Sequence, residues 1–307
     1  MIKYKDNIGI NKYNFGTEIE FSDINIGLLY KNFKKENCNV KFVLDHKLKG
    51  FDFNKYWCLD RDATVTYTYY DDNQFGKSYY GGEISSKILN DNPSSWMELK
   101  NICTTLKNNN ASINSNCSNH IHVDISNIDN YNNFYEIFSK ILALYENDFI
   151  LFYMGERYFV RDTFLEYSRP LKRDLLRKVL NIDFSGFEYL KQLIYEDKYI
   201  FGINDGVHIN PVYNELEIRY PNGTLDEKII QNSINFTLRL IDSINNDKFD
   251  KNEINYLLRR ANKNIFNYDI FSSINYNGFY KIIKTITNDS CLENDFMSQY
   301  EKVLSTK

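Results

Sequence analysis

Apolar and polar residues alternate strictly in three short stretches that lie far apart in the chain. Phe15-Gly16-Thr17-Glu18-Ile19-Glu20-Phe21 carries two carboxylates at alternate positions. His120-Ile121-His122-Val123-Asp124 alternates imidazole with aliphatic side chains, and Glu215-Leu216-Glu217-Ile218-Arg219 alternates charge with Leu and Ile. A period of two predicts half-buried strands with one apolar and one polar face. Glu18 and Glu20 then look the same way, about 7 Å apart, and repel by roughly 2 kcal/mol at an effective dielectric of about 20. Such a pair calls for a positive partner. If the three strands share a sheet, their polar face is a site, because carboxylate and imidazole suit a divalent cation and Arg suits a phosphate oxygen.

Between these strands the apolar spacing changes to that of helices. Asp23 is a candidate cap for a helix to about Glu36, with Ile26, Leu29, Tyr30 and Phe33 on one face. A strand follows around Val40 to Leu44, then a polar loop over 45–55. Tyr56 to Val65 reads as a strand with a polar tip, its alternation continuing to Tyr70, and Asp71 to Gly76 as a turn into a strand over Tyr79 to Ser86. Pro93 suits the first turn of a helix carrying Trp96, Leu99, Ile102, Cys103 and Leu106. The longest helical pattern, Asn130 to Met154, is apolar on most sides and is predicted to be central. The stretch Glu156 to Arg177 holds Arg157, Arg161, Arg169, Arg173 and Arg177 and is broken by Pro170. Helices are expected over 171–180 and 187–196, a hairpin arm over Tyr199 to Ile209 with Asn204-Asp205-Gly206 as its turn, and a returning helix over Leu225 to Ile244. The remainder is mostly helical. The expected organisation is a core over 1–247 and a helical C-terminal extension over 248–307.

Composition narrows the class. The 307 residues are 43% hydrophobic and 16% aromatic, with 25 Tyr and 22 Phe, so a sizeable core is available despite a mean hydropathy of −0.51. A formal net charge of −4 without a long Lys/Arg run argues against a nucleic-acid polymer or an anionic membrane as partner. Five cysteines form no Cys-x-x-Cys pair, which points to reduced thiols. The N-terminus has no apolar core of a signal peptide, and Glu146, Asn147 and Asp148 interrupt the most hydrophobic helix. A soluble cytoplasmic protein is expected.

The absence of a Walker A loop, a Rossmann glycine fingerprint and a Gly-x-Ser-x-Gly elbow removes three common kinds of site. Mixed helices and separated strands without a βαβ rhythm predict an α+β fold with a largely antiparallel sheet. Taken in order, the Phe15–Phe21 strand, the Trp57 to Thr64 segment, Gly82-Glu83-Ile84-Ser85-Ser86, Asn119-His120-Ile121-His122-Val123 and Glu217-Ile218-Arg219-Tyr220-Pro221-Asn222-Gly223-Thr224 resemble the motifs of the amidoligases. That family stands with glutamine synthetase and glutamate-cysteine ligase among the carboxylate-amine ligases. The resemblance covers about residues 13–225.

It implies a glutamine-synthetase-like curved sheet with helices on its convex side, and ATP with Mg²⁺, or Mn²⁺ in its place, on the concave face. By resemblance Glu18, Glu20, Glu83, His120 and Glu217 match metal ligands. His122, Asn222, Arg161 and Arg219 fall toward the nucleotide, with Arg219 neutralising the transferred phosphate. Asp62, in Asp62-Ala63-Thr64, matches an Asp-Gly-Ser turn without its glycine and joins Glu217 and Arg219 as a candidate catalytic group. Tyr167 falls near a Tyr-Cys segment in which this chain has Ser168. The implied activity joins a small-molecule or peptide carboxylate to an amine through an acyl phosphate, releasing ADP and phosphate, under a mobile loop for which 71–78 and 110–118 are candidates. Two other readings compete. One is a cupin-like metal oxygenase built on His120, His122 and His208, which leaves Glu18, Glu20, Glu217 and Arg219 idle. The other is a catalytically inactive binding protein of the same fold.

Overall fold

The computed structural model describes residues 10, 12–43, 51–70, 77–172, 175–176, 179, 201–210, 212–261 and 274–307. Its contacts divide the chain into two compact units interleaved in sequence: Met1–Val123 with Pro221–Gln231, and Asp124–Tyr220 with Asn232–Lys307. The fold is mixed α+β, and its strands pair largely antiparallel.

The first unit holds β1 (Phe15–Asn25), α1 (Ile26–Lys35), β2 (Val40–Phe42), β3 (Trp57–Asp60), β4 (Tyr67–Tyr70), β5 (Lys77–Ser85), α2 (Pro93–Asn108) and β6 (Asn119–Asp124). Its strands run in the order β2-β3-β5-β1-β6, with β4 pairing β5, and the exceptional parallel pair is β2 with β3. The register sorts the chemistry into rows. Ile19 lies opposite Ile84, and Ile84 opposite Leu59; all three are fully buried. One residue on, Glu20 faces Glu83 and Glu83 faces Asp60. On the other side of β1, Glu18 faces His120, and Gly16 faces His122. Ile26, Leu29 and Phe33 of α1 are buried, and the helix packs on β1, β2, β3 and β5. The Trp96 ring of α2 stacks on Phe15 at 5.1 Å. Gly82 permits close passage of β3, since a Cβ there would lie 2.4 Å from the Asp60 carbonyl oxygen.

The second unit is built on α3 (Tyr131–Met154), with a short α4 (Phe164–Tyr167) and the hairpin β7 (Val207–Asn210) and β8 (Glu215–Ile218). Three further helices, α6 (Lys251–Ala261), α7 (Tyr276–Ile286) and α8 (Ser290–Leu304), pack against α3, and α5 (Glu227–Asn245) contributes Phe236. The core here is aromatic: the Phe152 and Phe236 centroids lie 4.7 Å apart, and those of Phe279 and Tyr300 4.2 Å. The described elements within 248–307 are the three helices α6, α7 and α8. Among the described residues no helix is long and apolar enough to cross a membrane.

Several expected boundaries move. The cap of α1 is Asn25, whose side chain accepts from the Leu28 N–H, while Asp23 remains in β1 at φ 65°. The strand expected to run from Tyr56 to Tyr70 is two strands, because Asp62 accepts from the Thr64 N–H at 2.7 Å and folds the chain into a turn. The hairpin turns between Asn210 and Glu215; Asn204-Asp205-Gly206 precedes β7, where Asp205 is held by Arg169. The expected turn at 71–76, the helix over 187–196 and half of that over 171–180 lie outside the described residues.

Trp57 and Trp96, the chain's two tryptophans, are both buried in the first unit and report on its unfolding. Ile19→Asp is expected to abolish the folded fluorescence signal, because it puts an unpaired charge in the fully buried row. Ile19→Val should lower stability by only about 1 kcal/mol in urea titrations. Equal tolerance of both would mean that β1 presents its other face to the core.

Candidate functional site

Burial on β6 alternates, leaving His120, His122 and Asp124 half-buried on one face while Ile121 and Val123 are enclosed. His120 sits directly opposite Glu18, and its Nδ1 lies 2.8 Å from Glu18 Oε2. His122 reaches the other oxygen, with Nε2 3.4 Å from Glu18 Oε1. One ligand atom from each of Glu18, His120 and His122 can be chosen so that all lie within 4.8 Å of one another. Burial works to raise the Glu18 pKa, but the two imidazoles outweigh it and hold the carboxyl well below its usual range. The partner that the fold supplies to the paired glutamates is histidine, and it serves Glu18.

Glu20 has a different environment. Its backbone N–H donates to the Ser118 carbonyl at 3.1 Å, and its Oε2 accepts from the Ser118 N–H at 2.7 Å. Across the strand it meets Glu83, and like charges at about 5 Å repel by roughly 3 kcal/mol at an effective dielectric of about 20. Burial raises the Glu83 pKa well above the carboxylate range, and the charges of Glu18, Asp62, Glu20 and Asp60 raise it further. Burial lifts Glu20 as well, against the pull of His120. Asp60, which sequence reasoning did not single out, joins the candidate Asp62 among the charges around Glu83. Asp60 ends β3 opposite Glu83, a relation that depends on strand register. Asp62 receives the Thr64 N–H and hydroxyl on Oδ1, so its turn keeps its shape without the glycine.

The donor chemistry of this face suits cations. Glu20, Glu83 and Asp60 supply oxygen only, which fits Mg²⁺, and a bound cation would relieve the crowding that lifts Glu83. Glu18, His120 and His122 supply two nitrogens and a carboxylate.

Residues 110–118, a candidate lid, are tied down. Ser112 and Ser22 exchange backbone hydrogen bonds at 2.8 and 3.1 Å, Ser118 is held by Glu20, and the Gly223 N–H donates to the Cys117 carbonyl at 3.0 Å. The glycine of Pro221-Asn222-Gly223-Thr224 is needed there, since a Cβ would meet Cys117 Cβ at 2.6 Å. Asn222 bridges to Ser118 through the backbone, beside the start of β6. Burial pushes the Cys117 thiol up to about 12, which removes it as a nucleophile at neutral pH. The candidate lid over 71–78 is described only at 77–78, as the start of β5.

The second unit carries the other expected residues. Glu217 is buried on β8 and faces His208 across the hairpin; its Oε2 lies 3.2 Å from His208 Nδ1, and its Oε1 accepts from Arg219 Nε at 2.7 Å. Arg219 is gripped through its backbone too: its N–H donates to the Gly206 carbonyl at 2.8 Å, and its carbonyl accepts from Arg161 Nη2 at 2.8 Å and Ser168 Oγ at 2.7 Å. Arg161 is buried, and its Nη2 also meets Ser168 Oγ at 2.6 Å. Arg161 Nη2 thus ties Ser168 to the Arg219 carbonyl. Tyr167 contributes its carbonyl to Arg219 Nη1 at 3.5 Å. Sequence reasoning missed Ser168 and Glu146 as parts of this frame. Glu146, fully enclosed in α3, accepts from the Leu171 and Lys172 N–H groups and from the Tyr220 hydroxyl. The polar run Glu146-Asn147-Asp148 inside the most apolar helix was the available signal.

The first unit thus carries a sheet face lined with carboxylates and imidazoles, and the second a buried frame that holds Arg219, within a mixed α+β fold. The chain belongs to the amidoligases: residues 11–241 match the family described as "putative amidoligase enzyme". No curated protein matches the chain. The family name denotes ligases, so the oxygenase reading is not favoured.

Burial pushes the Glu146 carboxyl up to about 7 from its ordinary 4.5, against the hydrogen bonds from Tyr220, Leu171 and Lys172. A carboxyl raised by folding contributes stability that is complete below its unfolded pKa and is lost as pH rises through the folded one. The stability of the unsubstituted chain relative to Glu146→Gln should therefore fall between about pH 4.5 and pH 7. Urea titrations across that range measure it, and a pH-independent difference would exclude titration of Glu146.

Proposed function

We propose that the chain is an ATP-dependent carboxylate-amine ligase acting on small-molecule or peptide substrates. The carrying observation is the acidic row of Glu20, Glu83 and Asp60 beside Glu18 and His120, in a chain of the amidoligase family. Glu18, Glu20, Glu83, His120 and Glu217 are the proposed metal ligands, with His122 and Asn222 toward the nucleotide, on a sheet curved as in glutamine synthetase. Mg²⁺ held by carboxylates would screen the ATP phosphates and draw off charge as the γ-phosphoryl group moves.

The chain's own groups account for the remaining steps. A substrate carboxylate oxygen attacks the γ-phosphorus, the bond to the β-phosphate oxygen breaks, and ADP and an acyl phosphate result. Arg219 stabilises the charge that develops. Its Nε is committed to Glu217 and its Nη1 to Tyr167, which orients the guanidinium and leaves Nη2 without a bond to any described residue. The amine then attacks the acyl carbon, phosphate leaves with the bonding electrons, and the amine gives up a proton. Asp62 is the candidate acceptor of that proton, because its turn uses Oδ1 and leaves Oδ2.

Incubation with ATP, Mg²⁺ and mixed pools of acids and amines, scanned for products that combine two masses with loss of water, tests the reading. ADP, phosphate and amide are expected in equal amounts; substrate-dependent AMP and pyrophosphate would refute this mechanism. Arg219→Ala should slow the reaction by on the order of a hundredfold.

Glu20→Gln should abolish turnover while leaving the metal-free fold intact, because it removes one charge from a crowded row. Mg²⁺-ATP should raise the melting temperature of the unsubstituted chain by mass action and raise that of Glu20→Gln less. No shift at millimolar ATP and Mg²⁺ in the unsubstituted chain would count heavily against a ligase.

A further inference from the structure

We propose that a cleft in the second unit, between α3, α6 and α7, binds an α-amino acid with an apolar side chain. The wall of the cleft takes the side chain, and the charged groups at its mouth take the ammonium and the carboxylate. The site shares no residue with the acidic face or with the frame around Arg219, and it does not rest on the ligase reading.

The cleft measures about 140 Å³. An apolar cavity of about 150 Å³ accommodates benzene, so the body admitted here is the size of a phenylalanine ring or a leucine side chain. Ile141 and Tyr145 of α3, Ile254 of α6 and Ile282 of α7 line it, and all four are buried. Leu257 adds to the wall from α6. The packing holds this wall in place: a Cβ on Gly278 would lie 2.5 Å from Tyr145 Cε1, so α7 lies directly against that ring.

The mouth is charged and balanced. Lys248, Asp250, Glu253 and Lys281 all border the cleft. Lys281 pairs with Glu253, but both are exposed, and a solvated pair of this kind contributes little and exchanges readily for the charges of a ligand. Lys248 has no ion-pair partner among the described residues. Asp250 spends Oδ1 on the Asn252 and Glu253 N–H groups at the start of α6 and keeps Oδ2. A lone carboxylate would meet two acids here, and a lone ammonium two lysines; a zwitterion satisfies both signs.

Behind the mouth, the Tyr145 hydroxyl makes no hydrogen bond to a described residue, although Tyr145 is only 6% exposed. Buried polar groups are ordinarily paired, and a ligand carboxylate supplies the acceptor that this one lacks. Burial raises the pKa of the hydroxyl, with the Glu253 and Asp148 charges adding to the effect, so the group stays protonated and can donate. An apolar wall with a few placed polar groups is the usual build of a small-molecule site.

The test uses the full chain, free of ATP and metal, so that it reads binding alone; failure of the ligase reading would appear instead as absence of ADP and amide. Isothermal titration with L-phenylalanine should show one saturable site with a Kd of about 1 mM or tighter, within reach of a ligand of that size. The analogues 3-phenylpropanoate and 2-phenylethylamine each lack one charge and should bind about tenfold more weakly or worse. Leu257→Trp fills the cleft and should remove the site, and Lys248→Glu, at an exposed position, should weaken it about fivefold, with folding checked by circular dichroism. An amino acid is also a conceivable ligase substrate, so Glu20→Gln on the acidic face is the control and should bind phenylalanine as the unsubstituted chain does. In the unsubstituted chain, saturating phenylalanine should slow acetylation of Lys248 relative to lysines of the first unit, a readout by mass spectrometry that needs no variant to fold. Absence of a saturable site, equal affinity for either analogue, unchanged affinity in folded Leu257→Trp, loss of binding in Glu20→Gln, or an unprotected Lys248 would each overturn the proposal.

Discussion

The register of β1 against its two neighbours is the constraint on which the acidic face depends. Because side chains alternate with a period of two, a slip of one residue would turn Glu18 and Glu20 into the layer occupied by Ile19 and expose the aliphatic row. The buried contacts of Ile19 with Ile84, and of Ile84 with Leu59, resist that slip. They hold Glu20, Glu83 and Asp60 together despite mutual repulsion. Apolar burial on one side of the sheet thus maintains an electrostatically unfavourable arrangement on the other.

Within that face, histidine divides the carboxylates into two populations. Glu18 is drawn below the ordinary carboxylate range by imidazoles on both oxygens, while Glu83, among four other acids, is driven far above it. Two glutamates on neighbouring strands therefore carry different charge at the same pH. Ser118 links the populations, since it is bonded both to Glu20 and to His120.

The second unit uses buried polar groups for position. Glu146 binds two backbone N–H groups and the Tyr220 hydroxyl from inside an apolar helix, and Arg161 with Ser168 fixes the carbonyl of Arg219 next to Tyr220 in sequence. A buried carboxylate is costly unless its hydrogen bonds are made, and here three donors converge on it. The result is a strongly defined backbone at the residue whose side chain meets Glu217.

Alternation along Phe15–Phe21, His120–Asp124 and Glu215–Arg219 sufficed to locate three strands, their apolar faces and most candidate ligands, because period and residue type are local properties. The motifs in their order also sufficed for the family. Local rules failed where two chemistries competed: Asn25 rather than Asp23 caps α1, and a side-chain turn at Asp62 divides one apparent strand. Partnership was decided only in three dimensions. Nothing in the spacing of Asp60, Glu83 and Glu20 says that they form one row, or that His120 and His122 approach different oxygens of Glu18. Nor does it say that Arg161 Nη2 would bond a carbonyl and a serine. Those relations arise from strand register and long-range packing, which bring together residues separated by tens of positions and which no single segment encodes.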